Sequence, residues 1–189
     1  MIIVLDPGHG GLDPGAVANG LVEKRLTWDI ANLVKKKLEN VKADVIVVQP
    51  SAKNPNSTSQ DEVNLPPREA NRMGADFYLS IHINAGGGTG FESFVYSKGS
   101  KADQIRNKLH YQIMQYLKKY NMPDRGKKYS QRLGVLRMTK MPAVLIECGF
   151  IDHPHDSKLL ADTKFIDGLA NEIAYGLIVA LGLKTKGGK

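Results

Sequence analysis

Four residues have side chains that could carry out chemistry and lie where a fold could bring them together. His9 sits in a glycine-rich turn, "DPGHGGLDPG", after an apolar run, and Glu23 lies at the start of the first helical segment. His82 and Glu147 come late in two other apolar runs, "DFYLSIHIN" and "AVLIE". Two imidazoles and one carboxylate that leave an open position form a catalytic zinc set, so His9, Glu23 and His82 are candidate ligands. Glu147 is then available to take a proton from the metal-activated water.

Each of these residues also has an ordinary structural interpretation. A histidine can simply occupy a turn, as at His9, or a satisfied place in the core, as at His82. Glu23 could be favoured only by the positive end of a helix dipole. Glu147 is harder to explain in this way, because a glutamate that ends a run of buried aliphatic residues is costly to bury unless it is paired or near a metal. Taken together, the four residues favour a site.

Other kinds of site are less favoured by the sequence. The glycine turn is not a phosphate loop, because the third glycine of G-x-G-x-x-G would fall at position 13, an aspartate, and no G-K-[ST] follows. Cys148 is the only cysteine, and as the strand residue after Glu147 it should face the opposite side of the sheet, as a small apolar residue rather than a nucleophile. For His153 and His155 an exposed turn is favoured over a surface metal site. His110 is expected at the surface or its boundary.

The elements that must position these residues alternate along the chain. Short apolar, β-branched runs are separated by amphipathic segments of ten or more residues, which predicts an α/β fold with a mostly parallel sheet covered on both faces. Loops at the carboxyl ends of such strands meet in one crevice, where the candidate residues should converge. The predicted strands are 2–5, 44–48, 76–84, 90–97 and 143–150; the predicted helices are 21–39, 67–73, 102–117 and 165–183; the predicted loops are 49–64 and 121–134.

The composition is that of an ordinary globular domain. The chain has 189 residues, of which 42% are apolar and 24% charged, enough for a single domain with its own core. No window approaches the roughly 20 apolar residues of a transmembrane helix. No secretory signal precedes the first strand, so the protein is expected to be made in the cytoplasm, or the chain to be an excised domain. A monomer is expected.

Positive charge is concentrated in the second half of the chain. The formal net charge is +7, with −2 over residues 1–95 and +9 over residues 96–189. Residues 98–140 carry 12 lysines and arginines against two aspartates. This field favours a polyanionic partner such as a membrane surface or a cell-wall polymer, although a solvated basic helix face explains much of it. Nucleic acid is disfavoured, because few aromatic residues are interleaved with the charges.

Four stretches resemble one family in their order and separation. "LDPGHGGLDPGA", Glu23, "REANRMGADFYLSIHINA" and "LGVLRMTKMPAVLIECGF" are similar to successive motifs of the zinc-dependent N-acetylmuramoyl-L-alanine amidases of the amidase-3 type, which include autolysins, spore-lytic amidases and phage endolysins. The resemblance runs from Ile2 to about Leu183. It implies one α/β catalytic domain over residues 1–183, with about six strands in a twisted sheet, and residues 184–189 are expected to begin a linker or tail.

The resemblance also implies a reaction and a division of roles. One zinc ion per chain would be bound by His9, Glu23 and His82, and Glu147 would be the catalytic glutamate. The enzyme would degrade the bacterial cell wall by cleaving the amide between the lactyl group of N-acetylmuramic acid and L-alanine in peptidoglycan. The basic region 98–140 would flank the crevice and bind anionic wall polymers or the carboxylates of stem peptides.

The match also has departures, and rival functions stay open. The family often carries a Thr-Arg pair and an aspartate after the second strand, where this chain has "QPSAKN". Another zinc amidase or peptidase would keep the same metal set. A catalytically silent wall-binding module is a further alternative, but it would have little use for a buried acid beside the metal. Four further residues match recurrent family positions and are expected to support the site rather than touch substrate: Arg68, Asn71, Ser80 and Asn84.

Overall fold

The computed structural model describes residues 1–50 and 59–187. Strands and α-helices alternate along this part of the chain. The strands are β1 (Ile2–Pro7), β2 (Val17–Ala18), β3 (Leu21–Val22), β4 (Asp44–Val47), β5 (Phe77–Asn84), β6 (Phe91–Val95), β7 (Asp124–Tyr129) and β8 (Ala143–Phe150). The helices are α1 (Glu23–Lys37), α2 (Ser59–Arg72), α3 (Lys101–Leu117), α4 (Gly134–Met138), α5 (Pro154–Leu160) and α6 (Thr163–Leu181), with a 3₁₀ turn at Lys118–Tyr120.

Six strands form one twisted, mixed sheet in the order β4-β1-β5-β8-β6-β7. The four strands from β4 to β8 are parallel to one another. β6 runs antiparallel to β8, and β7 runs parallel to β6. The predicted α/β class, the mostly parallel sheet and the number of strands are confirmed.

The prediction of a basic loop over 121–134 was wrong, because it contains the edge strand β7 and the start of α4. β7 pairs only with β6, and its residues are exposed or half-buried. An edge strand with charged side chains and no buried face lacks the apolar alternation that marks a strand in sequence. The sixth strand of the sheet is therefore the one that the residue pattern did not indicate.

The predicted helices are present, with differences at the ends. α2 is longer than the predicted 67–73 segment, because it begins at Ser59 and takes in two prolines. The predicted loop at 49–64 is therefore too long at its far end, and its residues 51–58 lie outside the described part of the chain. The short helices α4 and α5 had no counterpart in the sequence prediction, since five to seven residues are too few to establish a period.

The two faces of the sheet differ in a way that creates the site. One face packs against α1, α3 and α6 and is mostly apolar, including Cys148, which has no exposed surface. Ser93 on β6 is a buried polar residue of this face and contacts His110 of α3. The other face packs against α2 and α4 only near the amino ends of the parallel strands, through residues such as Val4, Tyr78 and Leu145. Since alternate residues share a face, the same rows continue to Asp6, His82 and Glu147 at the carboxyl ends.

The segment after α6 lies against the connection between α1 and β4. Lys184 and Lys186 exchange backbone hydrogen bonds with residues 40 and 42, and Thr185 pairs with Val41. Within residues 1–50 and 59–187, every helix is too short or too polar to span a lipid bilayer. The backbone contacts of residues 184–186 hold the segment after α6 against residues 40–42, next to the edge strand β4.

Candidate metal centre and active site

The turn after β1 places His9 by accepting an unusual backbone conformation. His9 has a φ of +66°, in the left-handed region that a side chain other than glycine seldom adopts. Such a conformation costs about 1–3 kcal/mol and is found where a site requires it. Its neighbour Gly8 is anchored by a 2.8 Å hydrogen bond from its N–H to the carbonyl of Ile81. A Cβ at Gly8 would lie 2.3 Å from Cε1 of His82, so only glycine lets the two imidazoles approach.

Three side chains converge at this edge of the sheet. Nε2 of His9 lies 3.1 Å from Oε2 of Glu23, and Nδ1 of His82 lies 3.2 Å from Oε1 of the same carboxylate. The two imidazole rings are 5.1 Å apart and nearly perpendicular. One donor atom from each of the three residues falls within 4.8 Å of the others, the spacing of a metal-ligand set, and this is the one such group within the described residues.

Glu23 is held rigidly in the middle of this group. It is the first residue of α1 and is 3% exposed. The N–H of Ala16 donates to its Oε2 and the N–H of Ile83 donates to its Oε1, both at 2.9 Å. These contacts and the helix amino terminus favour a fixed, ionised carboxylate. The donor set therefore needs little rearrangement to surround a cation.

Asp13 orients the outer side of the His9 ring and was not identified from the sequence. Its Oδ2 lies 2.8 Å from Nδ1 of His9, while its Oδ1 accepts the N–H of Gly15 at 2.9 Å. A carboxylate on one ring nitrogen fixes the ring and leaves the other nitrogen for a metal. The repeated "DPG", which places an aspartate four residues after His9, was the available signal.

The electrostatics of the group fit a divalent cation. Burial disfavours a charged His9, but the carboxylates of Glu23 and Asp13 outweigh it and raise the pKa of His9 to about 9. Burial likewise opposes charge on His82, and its neighbours Glu23 and Glu147 raise its pKa. Burial alone would raise the pKa of Glu23, yet the two imidazoles hold it well below its usual range. Protons on the two rings thus balance the carboxylates, and a metal ion bound there would replace them.

Glu147 stands beside this set on the neighbouring strand. It is in register with His82 on β5 and with Glu92 on β6. Its Oε2 is buried and, within the described residues, has no hydrogen-bond partner. Burial is the main cause that raises the pKa of Glu147 to about 7, with nearby Glu23 adding to the effect. A carboxyl group with a pKa near 7 can both accept and donate a proton at neutral pH.

Glu92 is a second buried carboxylate of the site that the sequence analysis missed. It is 4% exposed, and its Oε1 accepts a hydrogen bond of 2.9 Å from Nδ2 of Asn84. Its Oε2 accepts from Nε of Arg125 at 2.9 Å and from Nζ of Lys128. Burial would raise the pKa of Glu92, but the two cations lower it, so this carboxylate stays charged beside Glu147. An acid inside the apolar strand "GFESFV" was the available signal.

The four supporting residues differ in what they touch. Ser80 donates at 2.7 Å to the buried carboxylate of Asp6, below the two histidines. Asn71 donates to the carbonyl of Met138, the last residue of α4, and accepts the N–H of Lys140, which ties α2 to that segment. Asn84 holds Glu92, as described above, and Arg68 is exposed on α2. Ser80, Asn71 and Asn84 therefore make contacts within the fold, and their supporting role for the site stays a prediction.

The other candidate residues lie away from this group. The expectation that His110 lies near the surface was wrong: it is 3% exposed between β6 and α3. His153 accepts the N–H of His155 at the start of α5, and His155 is exposed with Nε2 near the carbonyl of Tyr120. Cys148 is buried on the opposite face from Glu147, as predicted. Burial raises the pKa of its thiol further above its usual range, so it is no nucleophile.

An α/β domain with two imidazoles and a carboxylate at the carboxyl edge of its sheet, beside an unpaired carboxyl group, has the architecture of a metal-dependent hydrolase. Residues 3–179 match the family model described as N-acetylmuramoyl-L-alanine amidase. The chain belongs to this family and is an N-acetylmuramoyl-L-alanine amidase, which confirms the family resemblance seen in the sequence.

Individual relatives agree with the family match. The chain is 43% identical to the sporulation-specific N-acetylmuramoyl-L-alanine amidase of Bacillus subtilis, over 96% of this chain and 69% of that protein. It is 38% identical to the endolysin of Bacillus phage SPP1, over 99% and 68%. Among solved structures, the catalytic domain of the amidase CwlV from Bacillus (Paenibacillus) polymyxa var. colistinus superposes with a TM-score of 0.83 at 29% identity, covering 97% of this chain and 99% of that one.

Proposed function

We propose that this amidase acts on peptidoglycan with one zinc ion held by His9, Glu23 and His82, and with Glu147 as the proton carrier. The observation that carries the proposal is the buried, unpaired Oε2 of Glu147 next to the converging donor atoms. The nitrogen and carboxylate donors suit zinc, and no thiolate lies among them. The alternative of a silent wall-binding module leaves this buried acid without a purpose.

The residues of the chain divide the hydrolysis between them. Zinc, when bound, supplies a Lewis acid that polarises the scissile carbonyl and lowers the pKa of the attacking water. Glu147 Oε2 accepts a proton from that water as its oxygen bonds to the lactyl carbonyl carbon. The same carboxyl then donates the proton to the nitrogen of L-alanine as the C–N bond breaks, because an amine leaves readily only when protonated. The products are a lactyl carboxylate on the glycan and a free amino terminus on the peptide.

Glu92 and its partners would help to keep the pKa of Glu147 near neutral pH. The negative charge of Glu92 helps to hold a proton on Glu147, while Arg125 and Lys128 keep Glu92 itself ionised. Asn84 fixes the other oxygen of Glu92, so the charge stays in one place. Glu92 thus raises the pKa of Glu147 through its charge and makes no hydrogen bond to Oε2 of Glu147.

The test uses purified peptidoglycan and scores new L-alanine amino termini together with bound metal. Wild type, wild type stripped by a chelator, and the stripped protein resupplied with zinc are compared with Glu147→Gln. We expect zinc-dependent release, and a loss of about 10²–10⁴-fold in Glu147→Gln with zinc retained. Glu39→Gln, at an exposed glutamate just after α1, is the matched control. Metal binding without new L-alanine termini in wild type would contradict the proposal.

The basic region 98–140 is proposed to bind anionic wall polymers. Not all of its charge is available, because Arg106 is 1% exposed and Arg125 and Lys128 are engaged by Glu92. The exposed cations of the region supply the remainder, for example Lys101 and Lys108 on α3, Lys118 and Lys119 after it, and Arg137 on α4. Retention on cell walls should weaken as salt rises, and salt-insensitive retention would contradict this role.

A further inference from the structure

A groove begins one residue beyond His9 and runs along the outer side of α1. It has a volume of about 350 Å³ and lies between the glycine turn and the first two turns of the helix. Gly10 and Gly11, which directly follow His9 in the chain, form one wall of this groove. The groove is lined by Gly10, Gly11, Lys24, Arg25, Trp28, Asp29 and Gln49.

Trp28 gives this groove an aromatic floor. It is the only tryptophan of the chain and is 44% exposed, although tryptophan is a residue type that is highly buried on average. The apolar C–H faces of pyranose rings pack against flat aromatic rings, and an indole offers the largest such surface with a polar N–H at its edge. The residue lies five positions after Glu23 on α1, roughly 7.5 Å along the helix axis from the candidate metal ligand.

The groove also carries a net positive charge, and one of its two cations is available to a ligand. Arg25 is exposed and makes no hydrogen bond or ion pair with the part of the chain that the structure describes. Lys24 donates to the carbonyl of Gly11 at 3.1 Å, which closes the inner wall and leaves its charge in the groove. Asp29 supplies the single carboxylate of the lining, so the cations exceed it by one. An anionic ligand with sugar faces is the complement of this surface.

We propose that the groove binds the glycan strand after its stem peptides have been removed, an inference that rests on the proposed function. Hydrolysis converts each lactyl amide into a lactyl carboxylate, so the stripped strand carries a negative charge on every cleaved muramic acid, while an uncleaved repeat has a neutral amide there. Trp28 packs against a sugar ring and Arg25 pairs with a lactyl carboxylate. The enzyme thereby stays on the strand it has begun to strip and moves to the next stem peptide.

The single tryptophan allows the binding to be measured without a label. Peptide-free glycan strands and neutral chitin oligosaccharides of matched length are titrated while the Trp28 fluorescence is followed. We expect the stripped strands to bind more tightly and the difference to shrink as salt rises. Arg25→Gln should weaken binding of the stripped strands by about two- to fivefold, and Lys35→Gln, an exposed cation further along α1, should not. Equal affinity for both glycans, or no fluorescence response, overturns the proposal.

A second measurement links the groove to turnover. Trp28→Ala should lower affinity for stripped strands about tenfold, measured by co-sedimentation or calorimetry. It should also lower the ratio of the cleavage rate on long strands to that on a single muramoyl peptide, whereas Tyr175→Ala, an exposed aromatic residue on α6, should leave this ratio unchanged. An unchanged ratio in Trp28→Ala would overturn the proposal. Failure of the proposed function is distinguished by wild type itself, which would then release no L-alanine termini although the fluorescence titration still reports binding.

Discussion

Two histidine clusters in this molecule look alike in composition and differ in purpose. At the sheet edge, His9 lies near Glu23 and Asp13, and one nitrogen points toward a shared centre. Between β6, α3 and β7, His110 lies 2.7 Å from Oγ of Ser93 and 3.0 Å from Oδ1 of Asp124. Each cluster joins an imidazole to carboxylate and other polar groups, yet the first is a candidate metal centre and the second fastens an edge strand.

The difference is where the ring nitrogens are directed. Both nitrogens of His110 are used by Ser93 and Asp124, and Ser93 has no exposed surface, so no substrate reaches the hydroxyl. The Ser-His-Asp arrangement is therefore structural. At the candidate metal centre the donor atoms of His9, Glu23 and His82 converge on one point that a cation can occupy. Convergence of donor atoms from three residues on one point, rather than the presence of a buried histidine and an acid, marks the site.

The largest effect that tests this contrast comes from removing one histidine from each cluster. In His9→Ala we expect metal binding and amidase activity to fall to background while the fold stays intact, because His9 is partly exposed and strained. In His110→Ala we expect metal binding to persist but the free energy of unfolding to fall by about 1–3 kcal/mol, since the buried Ser93 hydroxyl loses its partner. Metal content and denaturant unfolding measure the two outcomes. Loss of metal in His110→Ala would remove the distinction.

A side chain added at Gly8, next to the candidate metal centre, should have the next largest effect on metal binding. The Cβ added in Gly8→Ala would meet the His82 ring at 2.3 Å and must displace it. We expect a cost of about 1–3 kcal/mol in stability together with weaker zinc binding. Gly134→Ala is a suitable control, because a Cβ there has 4.0 Å to its nearest neighbour. Zinc affinity equal to wild type in Gly8→Ala would show that the rings need not be so close.

Removing the charge of Asp13, the carboxylate that orients the His9 ring, should have a moderate effect on zinc affinity. Asp13→Asn keeps the shape of the contact with Nδ1 of His9 but removes the charge. We expect zinc affinity to fall by about 10–100-fold, measured by competition with a chelator, with little change in stability. Asp29→Asn on the exposed side of α1 is the matched control. Unaltered affinity in Asp13→Asn would mean that the carboxylate does not set the orientation of the ring.

The smallest effects are two opposite dependences of metal-free stability on pH. The pKa of His9 is raised to about 9 by its carboxylates, so its stabilising contribution is full below about 6.5 and is lost as pH rises toward 9. Burial, the main cause, lowers the pKa of His110, so the unfolded chain takes up protons first and stability falls as pH drops below about 6.5. Melting curves of His9→Gln and His110→Gln against wild type should lose these slopes separately. Slopes of the same sign would contradict the assigned environments.

Much of the fold follows from local pattern, and the exceptions have clear causes. The central strands and the long helices have one or two apolar faces, so their periods identify them. The edge strand β7 was not predicted, because within the described residues it pairs with β6 alone and its side chains are mostly charged and exposed. The burial of His110 was not predicted either, because it depends on the packing of α3 against β6 and the unpredicted strand β7. In each case the deciding neighbour is distant in sequence.

What the sequence determined by itself was the class of fold, the family and the identity of the four candidate residues, because each of these depends on residue type and local spacing. Only the tertiary structure decided that Gly8 must be a glycine, that Asp13 orients His9, and that Glu92 with its two cations stands beside Glu147. It also brought Trp28 and Arg25 beside the glycine turn. These relations join atoms on different strands and helices, and the register and packing that set such distances are properties of the folded chain as a whole.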